Sequence, residues 1–291
     1  MKMVSNRVVW AGLSLLTLLL GMSCAGRNTP ASSGANVSGT DDEGRFVWQE
    51  LLTDQIPASQ RFYGELLGWQ FEEATRLGEP YVLVKRENRY IGGIVGAERE
   101  QPDQPIAQWL SYLLVDDVNQ MVERIKRTGG RALVSPIVVG SSGTAAVISD
   151  PQGAILGLLQ PSKEVPERPV LGSEGEFFWR EYLTPESGNA LSFYTDTFGY
   201  QSELSDERGD MTYHVLRRIK PRAGIIKIKD LPVRPNWLPY VRVEDPVVLA
   251  NKASDLGGKV LLEPHPDARN SSVAIVTDPG GAAIALQKWP Y

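Results

Sequence analysis

The chain has 291 residues, 42% of them hydrophobic and 22% charged, which suits a folded body of one large or two ordinary domains. The formal net charge is −5 and no stretch is dense in Lys and Arg, so the electrostatic footprint of a nucleic-acid binder is excluded. A single cysteine excludes any disulfide within the chain.

Lys2 and Arg7 open the sequence with positive charge, and an apolar run from Val8 to Leu20 follows, broken only by Gly12, Ser14 and Thr17. The run is short for a membrane span and has the layout of a secretory signal, predicted over residues 1–23. Leu20-Gly21-Met22-Ser23-Cys24 resembles the end of a bacterial lipoprotein signal, with Gly21 standing where leucine is usual. The resemblance implies that Cys24 becomes the lipid-bearing first residue. Removing residues 1–23 takes away two positive charges, which leaves 28 − 35 = −7. Residues 24–44 hold almost nothing large and apolar and are expected to be a disordered tether. The expected location is the bacterial cell envelope. Ala25 follows Cys24 where an aspartate marks inner-membrane retention in some bacteria, which favours the outer membrane, facing the periplasm or the exterior.

The remainder is one pattern written twice. FVWQELLT at 46–53 returns as FFWREYLT at 177–184. Phe62-Tyr63 matches Phe193-Tyr194, Trp109-Leu110 matches Trp237-Leu238, and the turn Asp150-Pro151 matches Asp278-Pro279. The predicted modules are 45–161 and 175–291, joined by a Pro-containing linker over 162–174. Within module 1 a strand (46–53) leads to a helix (57–67) that Gly68 ends. Strands at 69–74, 80–86 and 90–96 follow. The scheme then restarts with a strand at 109–115, a helix at 117–128 and three more strands. Module 2 repeats both halves, with helices at 187–198 and 246–256. The fold class is therefore α+β, with two tandem modules of two βαβββ units each.

This order, with RFYGELLGW (61–69), SFYTDTFGY (192–200), VDDVNQMVERIKRTGG (115–130) and the turns DPQGAILGLLQ (150–160) and DPGGAAIALQK (278–288), resembles the vicinal oxygen chelate superfamily of glyoxalases, bleomycin-resistance proteins and ring-cleaving dioxygenases. The resemblance implies curved mixed sheets around a pocket, in which many members hold a divalent metal through His, Glu and Gln. Carried onto this chain, three of the usual ligand positions fall on Trp48, Leu110 and Gly157 in module 1. In module 2 they fall on Trp179, Leu238 and Ala285. None offers a donor side chain. A fourth position, near the end of the 90–97 and 222–229 strands, stays open. The only histidines are His214, in a predicted strand, and His265, in a Pro-rich loop. No metal and no other cofactor is therefore expected.

Strand alternation puts Trp48 and Glu50 on one face, and Trp179 and Glu181 on its counterpart. The resemblance makes this the pocket face, shared with Tyr112 and Tyr240. A carboxylate on an aromatic wall must find donors or take up a proton. Each glutamate is then either a structural clamp or the polar anchor of a small-molecule pocket. Trp109 and Trp237 fall out of phase and belong to core or interface. The expected function is metal-free binding of an apolar or aromatic small molecule by Trp48, Glu50, Tyr112, Trp179, Glu181 and Tyr240. The alternatives are a metal-dependent lyase, isomerase or dioxygenase, and an envelope scaffold without catalysis. Expected partners are that small molecule and a membrane through the lipid anchor, with no nucleic acid. The body is expected to be a monomer with pseudo-twofold modules, or a dimer.

Overall fold

The computed structural model describes residues 43–98, 106–165, 172–229 and 234–289. The expected signal, Cys24 and nearly all of the expected tether lie outside the described residues. Among the described residues no helix is long and apolar enough to cross a membrane.

Module 1 runs β1 (Phe46–Thr53), α1 (Ile56–Leu67), β2 (Gln70–Arg76), β3 (Glu79–Arg86) and β4 (Arg89–Gly96). Its second half is β5 (Gln108–Leu114), α2 (Val118–Arg127), β6 (Arg131–Val138), β7 (Gly143–Ser149) and β8 (Ile155–Pro161). Module 2 repeats this as β9 (Phe177–Thr184), α3 (Ser187–Phe198), β10 (Gln201–Arg208), β11 (Met211–Arg217), β12 (Pro221–Lys227), β13 (Asn236–Arg242), α4 (Pro246–Asp255), β14 (Lys259–Leu262), β15 (Val273–Thr277) and β16 (Ala283–Gln287). The predicted elements are all present, with ends that move by up to three residues.

The helix ends follow local chemistry. Gly68, at φ 68°, closes α1 in the left-handed conformation, and its N–H bonds the Gly64 carbonyl. Gly199 closes α3 in the same way at φ 67°. Asp117 caps α2 by accepting from the Gln120 N–H at 3.0 Å. Asp245 caps α4 through the N–H groups of Val247 and Val248.

Each module forms one eight-stranded mixed sheet, in the orders β2-β3-β4-β1-β5-β8-β7-β6 and β10-β11-β12-β9-β13-β16-β15-β14. At each centre the opening strands of the two half-units pair antiparallel, β1 with β5 and β9 with β13. The sheets curve without closing, as two tandem modules of the expected kind.

The two main cores are not one per module. Leu51, Phe62, Tyr63, Trp69 and Trp109 of module 1 pack with Val241, Ala253 and Ile284 of module 2 in one continuous cluster. Ile125, Ile148 and Leu156 of module 1 pack with Tyr182, Phe193 and Trp237 of module 2 in the other. Odd-numbered β1 residues such as Leu51 serve this shared interior. Trp48 and Glu50 face the concave side of the sheet, where smaller clusters centre on Tyr112 and Tyr240, while Phe46, beyond a register shift, packs in the shared interior. Trp109 and Trp237 are core, as strand phase requires, and their indole N–H groups donate to Tyr63 at 2.9 Å and Tyr194 at 2.8 Å.

Candidate functional site

Glu50 sits in the middle of the first sheet, opposite Leu110 on β5 and Gly93 on β4. It is 1% exposed, yet both carboxylate oxygens are engaged. The Tyr81 hydroxyl donates to Oε1 at 2.8 Å and the Tyr112 hydroxyl to Oε2 at 2.8 Å. Arg76, at the end of β2, closes on the same carboxylate with Nη1 at 2.5 Å from Oε1 and Nη2 at 3.1 Å from Oε2. The Trp48 indole donates to the Tyr81 hydroxyl at 3.1 Å, so the aromatic wall and the acid form one hydrogen-bonded unit. Burial alone would make such a carboxylate costly; four hydrogen bonds, two from phenols and two from one guanidinium, offset that cost.

Glycines make room for the phenols. A Cβ on Gly93 would lie 1.9 Å from the Tyr81 hydroxyl oxygen, and one on Gly157 would lie 2.3 Å from the Tyr112 ring. Gly157 is one of the six positions onto which the family resemblance carries a metal ligand. Here its missing side chain is what lets Tyr112 lie flat across β8.

Module 2 builds the same unit. Tyr240 donates to Glu181 Oε2 at 2.5 Å, and the Trp179 indole donates to the Tyr213 hydroxyl at 3.0 Å, where burial and the Glu181 charge hold that phenol well above its ordinary value. The guanidinium has a different source. Arg269, in the loop between β14 and β15, pairs with Glu181 through Nη2 and reaches Gln287 through Nη1 at 3.2 Å. Arg208, which stands as far from Arg76 as Tyr213 does from Tyr81, instead pairs with Asp206 at the surface.

The electrostatics fit a clamped ion pair. Burial works against the Arg76 cation, but the Glu50 charge outweighs it and holds the guanidinium above its ordinary range. Arg269 is raised in the same way by Glu181 against burial. Burial, and then the adjacent carboxylates, push Tyr112 and Tyr240 well above the usual phenol value, so they stay protonated donors.

The structure thus brings Trp48, Glu50 and Tyr112 together, and likewise Trp179, Glu181 and Tyr240. It adds four residues that sequence reasoning did not single out: Tyr81, Arg76, Tyr213 and Arg269. The two tyrosines carried a signal, since Tyr81 and Tyr213 correspond in the repeat. Around the first cluster Trp48, Leu133, Val134, Val139, Ile155 and Leu159 are only partly buried, which leaves an apolar, partly open concave face.

A metal centre does not fit these residues. The side chains of Trp48, Leu110 and Gly157, and of Trp179, Leu238 and Ala285, supply no donor, and the oxygens of Glu50 and Glu181 are taken up by phenols and guanidinium. Among the described residues no group of three or more His, Cys, Asp or Glu converges. His214 lies on β11, where burial lowers its pKa against the pull of Glu207. His265 is exposed, and its Nδ1 accepts from the Asp267 N–H within its own loop.

The two eight-stranded sheets, each with a glutamate-centred cluster on its concave side, have the fold of two tandem vicinal oxygen chelate modules. Residues 45–158 match the model of the Glyoxalase/Bleomycin resistance protein/Dioxygenase superfamily, so the first module is a domain of that superfamily and the second repeats its topology. The chain is 28% identical to "Putative glyoxylase CFP32" of Mycobacterium tuberculosis, over 84% of this chain and 95% of that one. It is also 28% identical to the anthracycline biosynthesis protein DnrV of Streptomyces peucetius, over 84% of this chain and 92% of that one. Among solved structures it resembles the Mn(II)-bound glyoxalase of Novosphingobium aromaticivorans, with a TM-score of 0.57 at 15% identity, covering 85% of this chain and 82% of that one. It also resembles the 2,3-dioxygenase LapB of Pseudomonas sp. KL28, with a TM-score of 0.59 at 14% identity, covering 87% and 94%. At these identities the structural likeness speaks for the fold.

Proposed function

We propose that each concave face binds a small, largely apolar molecule without a resident metal, using Trp48 and Tyr112 in one module and Trp179 and Tyr240 in the other. The observation that carries this reading is the engaged carboxylate. The oxygens of Glu50 and Glu181 are engaged by phenols and a guanidinium instead of facing an open metal position, while the surrounding aromatic and aliphatic walls keep part of their surface open. Their role is to lock phenols and guanidinium in place, which combines the clamp and the anchor in one device. The test is a thermal-shift and binding measurement on protein stripped with chelator. Mn(II), Ni(II), Zn(II) and Fe(II) are expected to leave Tm within about 1 °C, while flat aromatic compounds quench tryptophan fluorescence. One tightly held equivalent of any of these metals would overturn the reading.

A second reading has specific support. Likeness over nearly the whole length of a protein named as a glyoxylase, and the fold of metal-dependent glyoxalases and dioxygenases, favour an enzyme. Turnover of methylglyoxal–glutathione hemithioacetal or of a catechol, dependent on added metal, would establish it.

We further propose that Cys24 carries a lipid that tethers the body to the bacterial envelope, on the outer-membrane side. Metabolic labelling with an alkyne fatty acid should mark the wild-type chain and not Cys24→Ser.

A further inference from the structure

Arg76 and Arg269 reach equivalent places by unrelated routes. Arg76 ends a strand of the first half-unit of its module, whereas Arg269 rides on a loop of the second half-unit. Duplication copies elements, so two elements converging on one spot mean that the spot itself demands a guanidinium. Satisfying the carboxylate is a weak reason for that demand, because phenols already donate to each glutamate, two to Glu50 and one to Glu181. Replacing a buried ion pair by apolar residues is often neutral.

The guanidiniums are also not sealed in. Arg76 keeps 32% of its side-chain surface and Arg269 keeps 24%, while their glutamates keep 2% and 1%. A guanidinium has five N–H donors. Arg76 uses two of them on Glu50, so three remain beyond that pair on a group fixed by the carboxylate and by the Tyr81 ring 4.4 Å away. Arg269 lies 5.3 Å from the Tyr213 ring and 5.4 Å from the Tyr240 ring. Its loop holds three successive non-glycine residues at positive φ, Arg269 at 53°, Asn270 at 54° and Ser271 at 60°. Such a run is costly and persists where the surroundings over-determine it, commonly at ligand clamps.

We propose that Arg76 and Arg269 are the polar anchors of the two clefts, donating to an oxygen acceptor, a carbonyl or a carboxylate, on an otherwise flat apolar ligand. The glutamate behind each arginine is a positioning residue. It fixes the plane of the guanidinium and leaves its outer edge for the ligand. Indole and phenol faces supply the apolar contact. The proposal rests on the cleft-binding reading above and deepens it.

The test uses three probes of one shape on the full mature chain: 2-acetylnaphthalene, 2-naphthoate and 2-ethylnaphthalene, followed by ligand-observed NMR. The ketone or the carboxylate, or both, should bind at least about tenfold more tightly than the hydrocarbon, as a hydrogen bond to a charged donor predicts. A ketone-only preference identifies a carbonyl ligand and a naphthoate-only preference a carboxylate; either supports the anchor. Equal affinity for all three sinks the anchor and leaves cleft binding intact. Binding by none sinks both. The paired variants Glu50→Gln/Arg76→Met and Glu181→Gln/Arg269→Met remove each ion pair whole, which avoids a stranded buried charge. With all four substitutions the preference should vanish while 2-ethylnaphthalene still binds. A surviving preference overturns the assignment.

Discussion

Ser59 on α1 donates its hydroxyl to Asp278 Oδ2 at 2.6 Å, across 219 positions of sequence. Asp278 belongs to the Asp-Pro turn of module 2, and Ser59 to the first helix of module 1. The reciprocal contact exists too, with Tyr194 of module 2 donating to Asp150 of module 1 at 3.1 Å. Each turn is clamped by the other module's helix, so the repeat that is serial in sequence is interleaved in space.

Interleaving has a direct consequence for truncation. Residues 43–165 alone would expose Phe62, Trp69 and Ile125, whose packing module 2 completes. That fragment should self-associate or lose fixed tertiary packing, as size-exclusion chromatography and near-UV circular dichroism would report. A cooperatively folded monomer would refute the shared core.

Acidification should act through the same two aspartates. Burial raises Asp150 and Asp278 above the ordinary value of 3.8, against the hydrogen bonds that lower them. With the folded pKa above the unfolded one, the unfolded state binds fewer protons between the two values. Their contribution to stability is therefore greatest below the unfolded pKa and is lost as pH rises through the folded pKa. Relative to wild type, Asp150→Asn/Asp278→Asn should look best at neutral pH and lose that advantage near pH 4. Urea denaturation across that range would show it; a constant difference would contradict it.

The tryptophans should separate by location. Trp109 is core and donates to Tyr63, so Trp109→Ala should cost about 3–5 kcal/mol. Trp48 is partly exposed on the concave face, and Trp48→Ala should cost about 1 kcal/mol while weakening any cleft ligand. Equal destabilisation by the two would mean that Trp48 is packed interior.

Two glycine substitutions should have opposite signs. Gly93→Ala places a methyl against the Tyr81 hydroxyl and breaks its bond to Glu50, lowering stability by about 2 kcal/mol. Gly64→Ala, inside α1 with only ordinary contacts near 3.5 Å, should stabilise by roughly 0.5–1 kcal/mol. Thermal unfolding of both variants decides it, and a stable Gly93→Ala would show that Tyr81 does not need its place.

The module plan, helix stops and strand phases were legible because they depend on short-range chemistry. A period of two sorts Glu50 from Leu51, and Gly68 ends α1 whatever surrounds it. The repeat gave the pairing of Trp48 with Trp179. It could not give Arg269, because the repeat points to Arg208 for that role. Arg208 turns instead to Asp206 beside it. Which cation reaches a buried carboxylate depends on how a distant loop folds back, and no local spacing encodes that. Alternation and turn chemistry act within a few residues, and they suffice for the two βαβββ pairs and for the glutamate with its flanking indole in each. The sharing of cores between modules, the phenols and guanidinium that occupy each carboxylate, and the origin of that guanidinium emerge only in three dimensions. Those outcomes follow from long-range packing, in which apolar faces and buried charges take whichever partners the whole chain brings within contact.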